Sequence, residues 1–280
     1  MKKKSFTANN NIIQRYSSEF RTLLVTVMIL FALPALSGCV TNGSPTQVET
    51  LSEALHAEGT LPHDANAFTE GLFFHEGKLC ESTGLKGRSE IRMDINLKSG
   101  KTTSSVNLPE NAFGEGSCVM HNKLYTLTYT EGKIFIFDPE TLSLKKTIEG
   151  YPREGWGLTS DGARLYAGDG SSHLYVLDEN GKTTRTIDVT DNGKPVENIN
   201  ELEWIEDKIW ANIWQSSDII IINPKNGKVE RRLNCSALKD SVSHQSADDV
   251  LNGIAYDRST GKIYLTGKRW HTMFVFSLRD

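Results

Sequence analysis

The chain has 280 residues, with 31 lysines and arginines against 35 aspartates and glutamates, a net charge of −4. That balance excludes the basic surface a nucleic-acid binder needs. The length suits one large all-β domain or two small domains.

The chain opens with Lys2, Lys3, Lys4, Arg15 and Arg21 against one acid, Glu19, followed by the uncharged apolar run LLVTVMILFALPAL at 23–36. A basic segment, a short apolar stretch and small residues before a cut make a secretory leader. The run is shorter than the ~20 residues of a comfortable membrane span. Its ending, Leu36-Ser37-Gly38-Cys39, resembles a bacterial lipoprotein signal. That resemblance implies removal of residues 1–38, a lipid on Cys39, and a protein held on the periplasmic side of a membrane. Val40 is no inner-membrane retention signal, which favours the outer membrane. Without the leader, 26 basic and 34 acidic residues remain, net −8. Residues 39–53, polar and turn-rich up to Thr50, read as a tether, and residues 54–280 as the folded domain.

Two hexamers set the architecture. NAFTEG begins at 66 and NAFGEG at 111, and they differ at one residue. Each opens a longer unit: a short apolar strand, a turn, then a second strand. The unit recurs as GLFFHEGKLC (71–80), GSCVMHNKLY (116–125), GLTSDGARLY (157–166), ELEWIEDKIW (201–210) and GIAYDRSTGKIYL (253–265). Cys80, Tyr125, Tyr166, Trp210 and Tyr264 end the pairs at spacings of 45, 41, 44 and 54, the last widened by a polar insertion at 234–249. Further alternating segments with Asp-Pro, Asn-Gly and Ser-Gly punctuation follow each pair, the pattern of hairpins. Several antiparallel strands per repeat of ~40–50 residues predict a five-bladed β-propeller. The fifth copy ends after its third strand, at 276–278, so a strand around 54–64 is expected to complete it and hide two sheet edges.

Cys80, Cys118 and Cys235 follow the leader, an odd number without zinc spacing. Burial as small apolar groups is expected, and the sequence assigns no disulfide. His63-Asp64 are adjacent, and two neighbouring residues do not make a metal site.

The repeat also serves as a ruler. In a blade the first strand lines the channel and the second runs back, so the start of one and the end of the other share a face. The starts carry Phe68 and Glu70, Phe113 and Glu115, Glu154 and Trp156, Asn200 and Glu201, and Asn252; the ends carry Gly84, Tyr129, Gly170, Trp214 and Lys268. One mouth therefore collects carboxylates, amides, aromatic rings and a lysine, a constellation that supports a binding cavity and makes the clustered titratable groups candidate catalysts.

PHDANAFTEGL, ESTGLKGRSEIR, FGEG, EGWGLTSDG, GDGSSHLYVLD, VTDNGKPVENINELEW, ANIWQSSDIIIINPKNGKV and DVLNGIAYD…GKIYLTGKRW together resemble the glutamine cyclotransferase family, the five-bladed plant and bacterial glutaminyl-peptide cyclotransferases. The resemblance covers residues 58–276. It implies conversion of an N-terminal glutamine of peptides or proteins to pyroglutamate with loss of ammonia; the chemistry calls for no cofactor or catalytic metal, a structural cation in the central channel stays open, and a monomer is expected. It implies Glu115 as the catalytic carboxylate and Lys268 as a catalytic partner. Phe68, Glu70, Phe113, Tyr129, Trp156, Asn200, Trp214 and Asn252 line the substrate site in this reading. Tyr129 departs from the tryptophan the family has after Leu-Thr. From the residues alone two rivals stand: a non-enzymatic propeller that binds peptides or glycans at the same mouth, and a propeller lactonase or lyase. The latter needs a metal or a histidine there, and none of the mapped mouth positions is histidine.

Overall fold

Burial falls from strand to strand within each repeat, and that gradient builds the molecule. The innermost strands are buried along nearly their whole length, as in Leu251–Asp257, whereas an outermost strand such as Thr102–Asn107 is almost wholly exposed. Between them the burial alternates, as in Glu90–Ile95, because one face meets each neighbouring blade. In this computed structural model, which describes residues 45–243 and 246–279, five four-stranded antiparallel blades result. Their inner strands are Thr69–His75, Gly114–Met120, Leu158–Ser160, Ile199–Ile205 and Leu251–Asp257. Each packs on the next, and the fifth returns to the first. Five apolar clusters fill the five seams between blades.

The ring closes as expected. Blade 5 supplies Leu251–Asp257, Lys262–Gly267 and Thr272–Leu278, and Leu55–Pro62 pairs antiparallel with the last of these to give its outer strand. The expected tether is partly a correction. Val48–Thr50 adds a fifth, parallel strand to blade 4 beside Val229–Asn234, and a short helix, Leu51–Ala54, buries Leu51 and Ala54. The polar composition misled because this is an edge strand, held by a bidentate Arg231–Glu49 pair at 2.6 and 2.9 Å. Cys39 and the leader lie outside the described residues. Among those described, no helix is long and apolar enough to cross a membrane. Cys80, Cys118 and Cys235 are free and buried. The insertion before blade 5 contains a short helix, Ser236–Asp240.

Candidate active site

Four of the five inner strands slip register at the same place. In blade 1 Thr69 faces Thr83 while Gly71 faces Ser82, so Glu70 is an extra residue. The same slip falls between Gly114 and Ser117, between Ile199 and Leu202, and between Leu251 and Ile254. Glu70, Glu115, Asn200 and Asn252 are thus all released from the regular ladder. A β-bulge re-aims side chains in this way, and here it does so in four blades at one level of the ring. The second strands return to that level. The amides of Gly84, Tyr129, Trp214 and Lys268 donate to the carbonyls of Phe68, Phe113, Asn198 and Val250 at 2.8–3.0 Å.

The result is a cavity of about 240 Å³ at one mouth of the channel. Nine of the ten candidate residues from the sequence line it: Phe68, Glu70, Phe113, Glu115, Tyr129, Trp156, Asn200, Trp214 and Lys268. Asn252 stands behind the lining, fully buried, where its amide donates to the Thr69 carbonyl at 2.8 Å and reaches Glu70 at 3.4 Å. Asp248, an exposed acid from the insertion, also lines the cavity and was not expected. Sequence periodicity had no register for it, because the insertion breaks the repeat. Glu201 is a second departure. It does not line the mouth but points into the ring, where its carboxylate accepts the amides of Leu72 at 3.1 Å and Ile254 at 3.0 Å. It therefore ties blades 1 and 5 to blade 4.

The walls are aromatic. Trp156 and Trp214 meet edge to face with centroids 5.9 Å apart. Phe113 packs on Tyr129 at 5.8 Å and on Phe68 at 6.2 Å. Blades 1 and 3 place glycine where the others end their second strands in a large side chain. A Cβ on Gly84 would meet the Phe113 ring at 2.5 Å, and one on Gly170 would meet the Trp156 ring at 2.6 Å. These two glycines are the space the rings occupy.

The floor is charged and almost dry. Glu115, Glu70 and Lys268 are 6, 2 and 6% exposed. Lys268 Nζ lies 2.7 Å from Glu70 Oε1 and 4.5 Å from the centre of the Phe68 ring. Burial, and then the negative charge of Glu70, push the Glu115 carboxyl well above the usual carboxylate range, with Lys268 opposing them. Burial raises Glu70 as well, and the Lys268 ammonium only limits that rise. Two like charges this close do not ionise together. The pair titrates as a unit, and the ammonium beside Glu70 favours the charge there and the proton on Glu115. Such a floor holds a proton that ordinary carboxyls would have lost, beneath aromatic walls.

A second cavity, of about 370 Å³, opens at the far ends of the inner strands around Glu203, Thr159 and Arg258. Glu203 there accepts the Tyr256 amide at 3.0 Å, and burial raises its carboxyl to about 8. None of the candidate residues from the sequence borders it.

Comparison with known proteins gives one consistent result. The glutamine cyclotransferase family model matches residues 28–278. A glutaminyl-peptide cyclotransferase of Arabidopsis thaliana is 34% identical over 267 residues, which cover 92% of this chain and 82% of the plant protein. The crystal structure of Myxococcus xanthus glutaminyl cyclase superposes with a TM-score of 0.75 at 36% identity, covering 81% of this chain and 97% of the other.

Proposed function

The chain belongs to the glutamine cyclotransferase family, and we propose that it cyclises N-terminal glutamine at the Glu70–Glu115–Lys268 floor, with Glu115 as the proton carrier. The reaction it catalyses is that of a glutaminyl-peptide cyclotransferase: N-terminal glutamine becomes pyroglutamate and ammonia leaves. The observation that carries the site assignment is the buried carboxylate pair with its single lysine, at the base of an aromatic cavity sized for one side chain.

The substrate brings both reactants. Its α-amine attacks Cδ of its own side chain, the new C–N bond closes the five-membered ring, and the bond from Cδ to the amide nitrogen breaks. The amine must lose a proton and the departing nitrogen must gain one. A single carboxyl can do both in turn, provided its pKa lies near the working pH. The burial and charge around Glu115 move it upward, in the direction that condition requires. Trp156, Trp214, Phe113 and Tyr129 hold the glutamine stem so that amine and carbonyl carbon meet, which is a positioning effect. Asn200, 3% exposed, is the donor suited to the oxyanion that forms on the side-chain carbonyl. Lys268 is already bonded to Glu70, which suits it to keeping that carboxylate ionised and thereby tuning Glu115.

No step calls on a metal or cofactor, and among the described residues no group of three or more His, Cys, Asp or Glu is placed to hold an ion. Ammonia release from a glutamine-initiated peptide, with the mass loss read by mass spectrometry, tests the whole reading. A wild-type protein that binds such a peptide without changing its mass would leave the non-enzymatic alternative. For the leader, the reading is export, cleavage before Cys39 and lipid attachment there, with a monomeric enzyme facing the periplasm. Cys39→Ser is expected to accumulate unprocessed or unlipidated protein, and a mutant that still matures with a lipid would refute it.

A further inference from the structure

His63 takes no part in the chemistry above, yet it is one of the few ionisable groups shut away from water, at 8% exposure. Its Nδ1 lies 2.7 Å from the Trp270 carbonyl and its Nε2 lies 2.9 Å from Glu81 Oε1. The carbonyl only accepts, so Nδ1 carries a proton. Glu81 also accepts the Thr69 hydroxyl at 2.7 Å and faces Arg92 at 3.4 Å, so it is ionised and Nε2 carries a proton too. Burial opposes the charge on the imidazole, but the Glu81 carboxylate outweighs it. Arg92 is itself spread over Glu81, Glu90 and Asp64.

The two ends of this bridge matter because of what they adjoin. Trp270 belongs to the turn that carries Lys268, and Thr69 precedes the bulged Glu70. The turn passes through Arg269 at φ 58°, a backbone region that non-glycine residues hold only when the surroundings enforce it. The Arg269 amide donates to the Ala67 carbonyl at 2.7 Å, and the Arg269 side chain pairs with Asp249. The His63 amide donates to the His271 carbonyl at 3.0 Å, and its ring adds the bond to the Trp270 carbonyl, a further tie to this turn.

The sister blades show that the bridge is not a requirement of the fold. Positions equivalent to Glu81, one residue after the marker that ends each strand pair, are Thr126, Ala167, Ala211 and Leu265. Blade 1 alone buries a carboxylate there. A buried ion pair is weak as a source of stability, because apolar packing of the same volume serves as well or better. Three blades have taken that course, the fourth places a threonine bonded to Ser117 at 2.9 Å, and the exception adjoins the lysine.

We propose that His63 is a positioning residue for the reaction: through the Trp270 carbonyl on one side and Glu81 and Thr69 on the other, it sets the distance between Lys268 and Glu70. The proposal rests on the functional reading given above. A supporting shell of this kind fixes reacting groups that would otherwise be loosely held.

Two isosteric changes separate the two bonds. The amide nitrogen of asparagine falls where Nδ1 lies, and that of glutamine where Nε2 lies. His63→Asn therefore keeps the bond to Trp270, whereas His63→Gln keeps the bond to Glu81 and leaves the Trp270 carbonyl without its imidazole donor. Both lose the charge beside Glu81, so both share that stability loss. At a temperature where each is folded, His63→Gln is expected to lose about tenfold in kcat with little change in KM, and His63→Asn no more than about threefold, the scale of small misplacements. Loosening Lys268 raises the carboxyl pair, so the ascending limb of the pH profile moves upward in His63→Gln only. Carbon-13 titration of the Glu70 and Glu115 carboxyls should show the same upward shift without reference to turnover. Thr69→Val, nearly isosteric, should shift the titration in the same direction by less, and stands in if either histidine variant does not fold. Equal kcat and equal carboxyl titrations in the two histidine variants would reduce His63 to a structural role. A wild-type protein that releases no ammonia would refute the functional reading, while the carboxyl titrations would still decide this one.

Discussion

NAFTEG and NAFGEG are near twins in sequence and neighbours in the ring, but their glutamates live in different electrostatic worlds. Glu70 faces an ammonium at 2.7 Å and an asparagine amide at 3.4 Å. Glu115 faces Glu70, and burial dominates its titration. The same motif, bulged in the same way, therefore yields one carboxyl that an ammonium steadies and one that burial and a like charge push far higher. What separates them is not the blade that holds each, but which blade stands on its other side. Blade 5 brings Lys268 to Glu70, and blade 3 brings no cation to this floor.

Four measurements would break or sharpen that contrast. The largest effect is expected for Glu115→Gln: a loss of at least ~10²-fold in kcat, the lower end for acid–base catalysis, because an amide does not titrate near neutrality. Its melting temperature should stay near wild type. Retained turnover in a folded variant would hand the proton to Glu70. Next is Lys268→Met. Removing the ammonium raises the pKa of both carboxyls, so the ascending limb of kcat/KM should move to higher pH, with a loss of about tenfold at neutrality. Glu70→Gln should act in the opposite sense. It removes the negative charge that raises Glu115 and leaves Lys268 to lower it, so the limb moves to lower pH while kcat falls only a few-fold, within roughly 1 kcal/mol. Limbs that move together in these two variants would refute the division of labour. The smallest expected effect is none: dialysis against EDTA should leave turnover unchanged, and a loss restored by zinc would overturn the metal-free reading.

Much of this was legible beforehand because a propeller repeats. The spacing from Cys80 to Tyr264 marks every second strand, and the unfinished fifth copy points to Leu55–Pro62 as its missing edge. The same ruler brought nine lining residues to one mouth. It measured distance along a strand, however, and not the face a residue takes. The bulges were invisible for that reason: Glu201 and Asn252, one residue away from a lining position or at its equivalent, turn inward or behind. Asp248 was missed because the insertion has no counterpart in other blades. The end of the tether was misplaced because polar residues on an edge strand look like linker. His63 and Glu81 lie 18 residues apart, and neither His nor Glu on its own announces a buried pair.

Lys268 and Glu70 are 198 residues apart in the chain, and the outer strand that completes the lysine's blade comes from upstream of Glu70. A contact between such distant segments forms late, since the loop between them must first be organised. The site therefore has no precursor in a half-built ring. The carboxylate of Glu70 gains its ammonium only when the last blade is in place. On the proposed reading, a chain that stops before its last blade lacks the ammonium beside Glu70, so full turnover reports a finished circle.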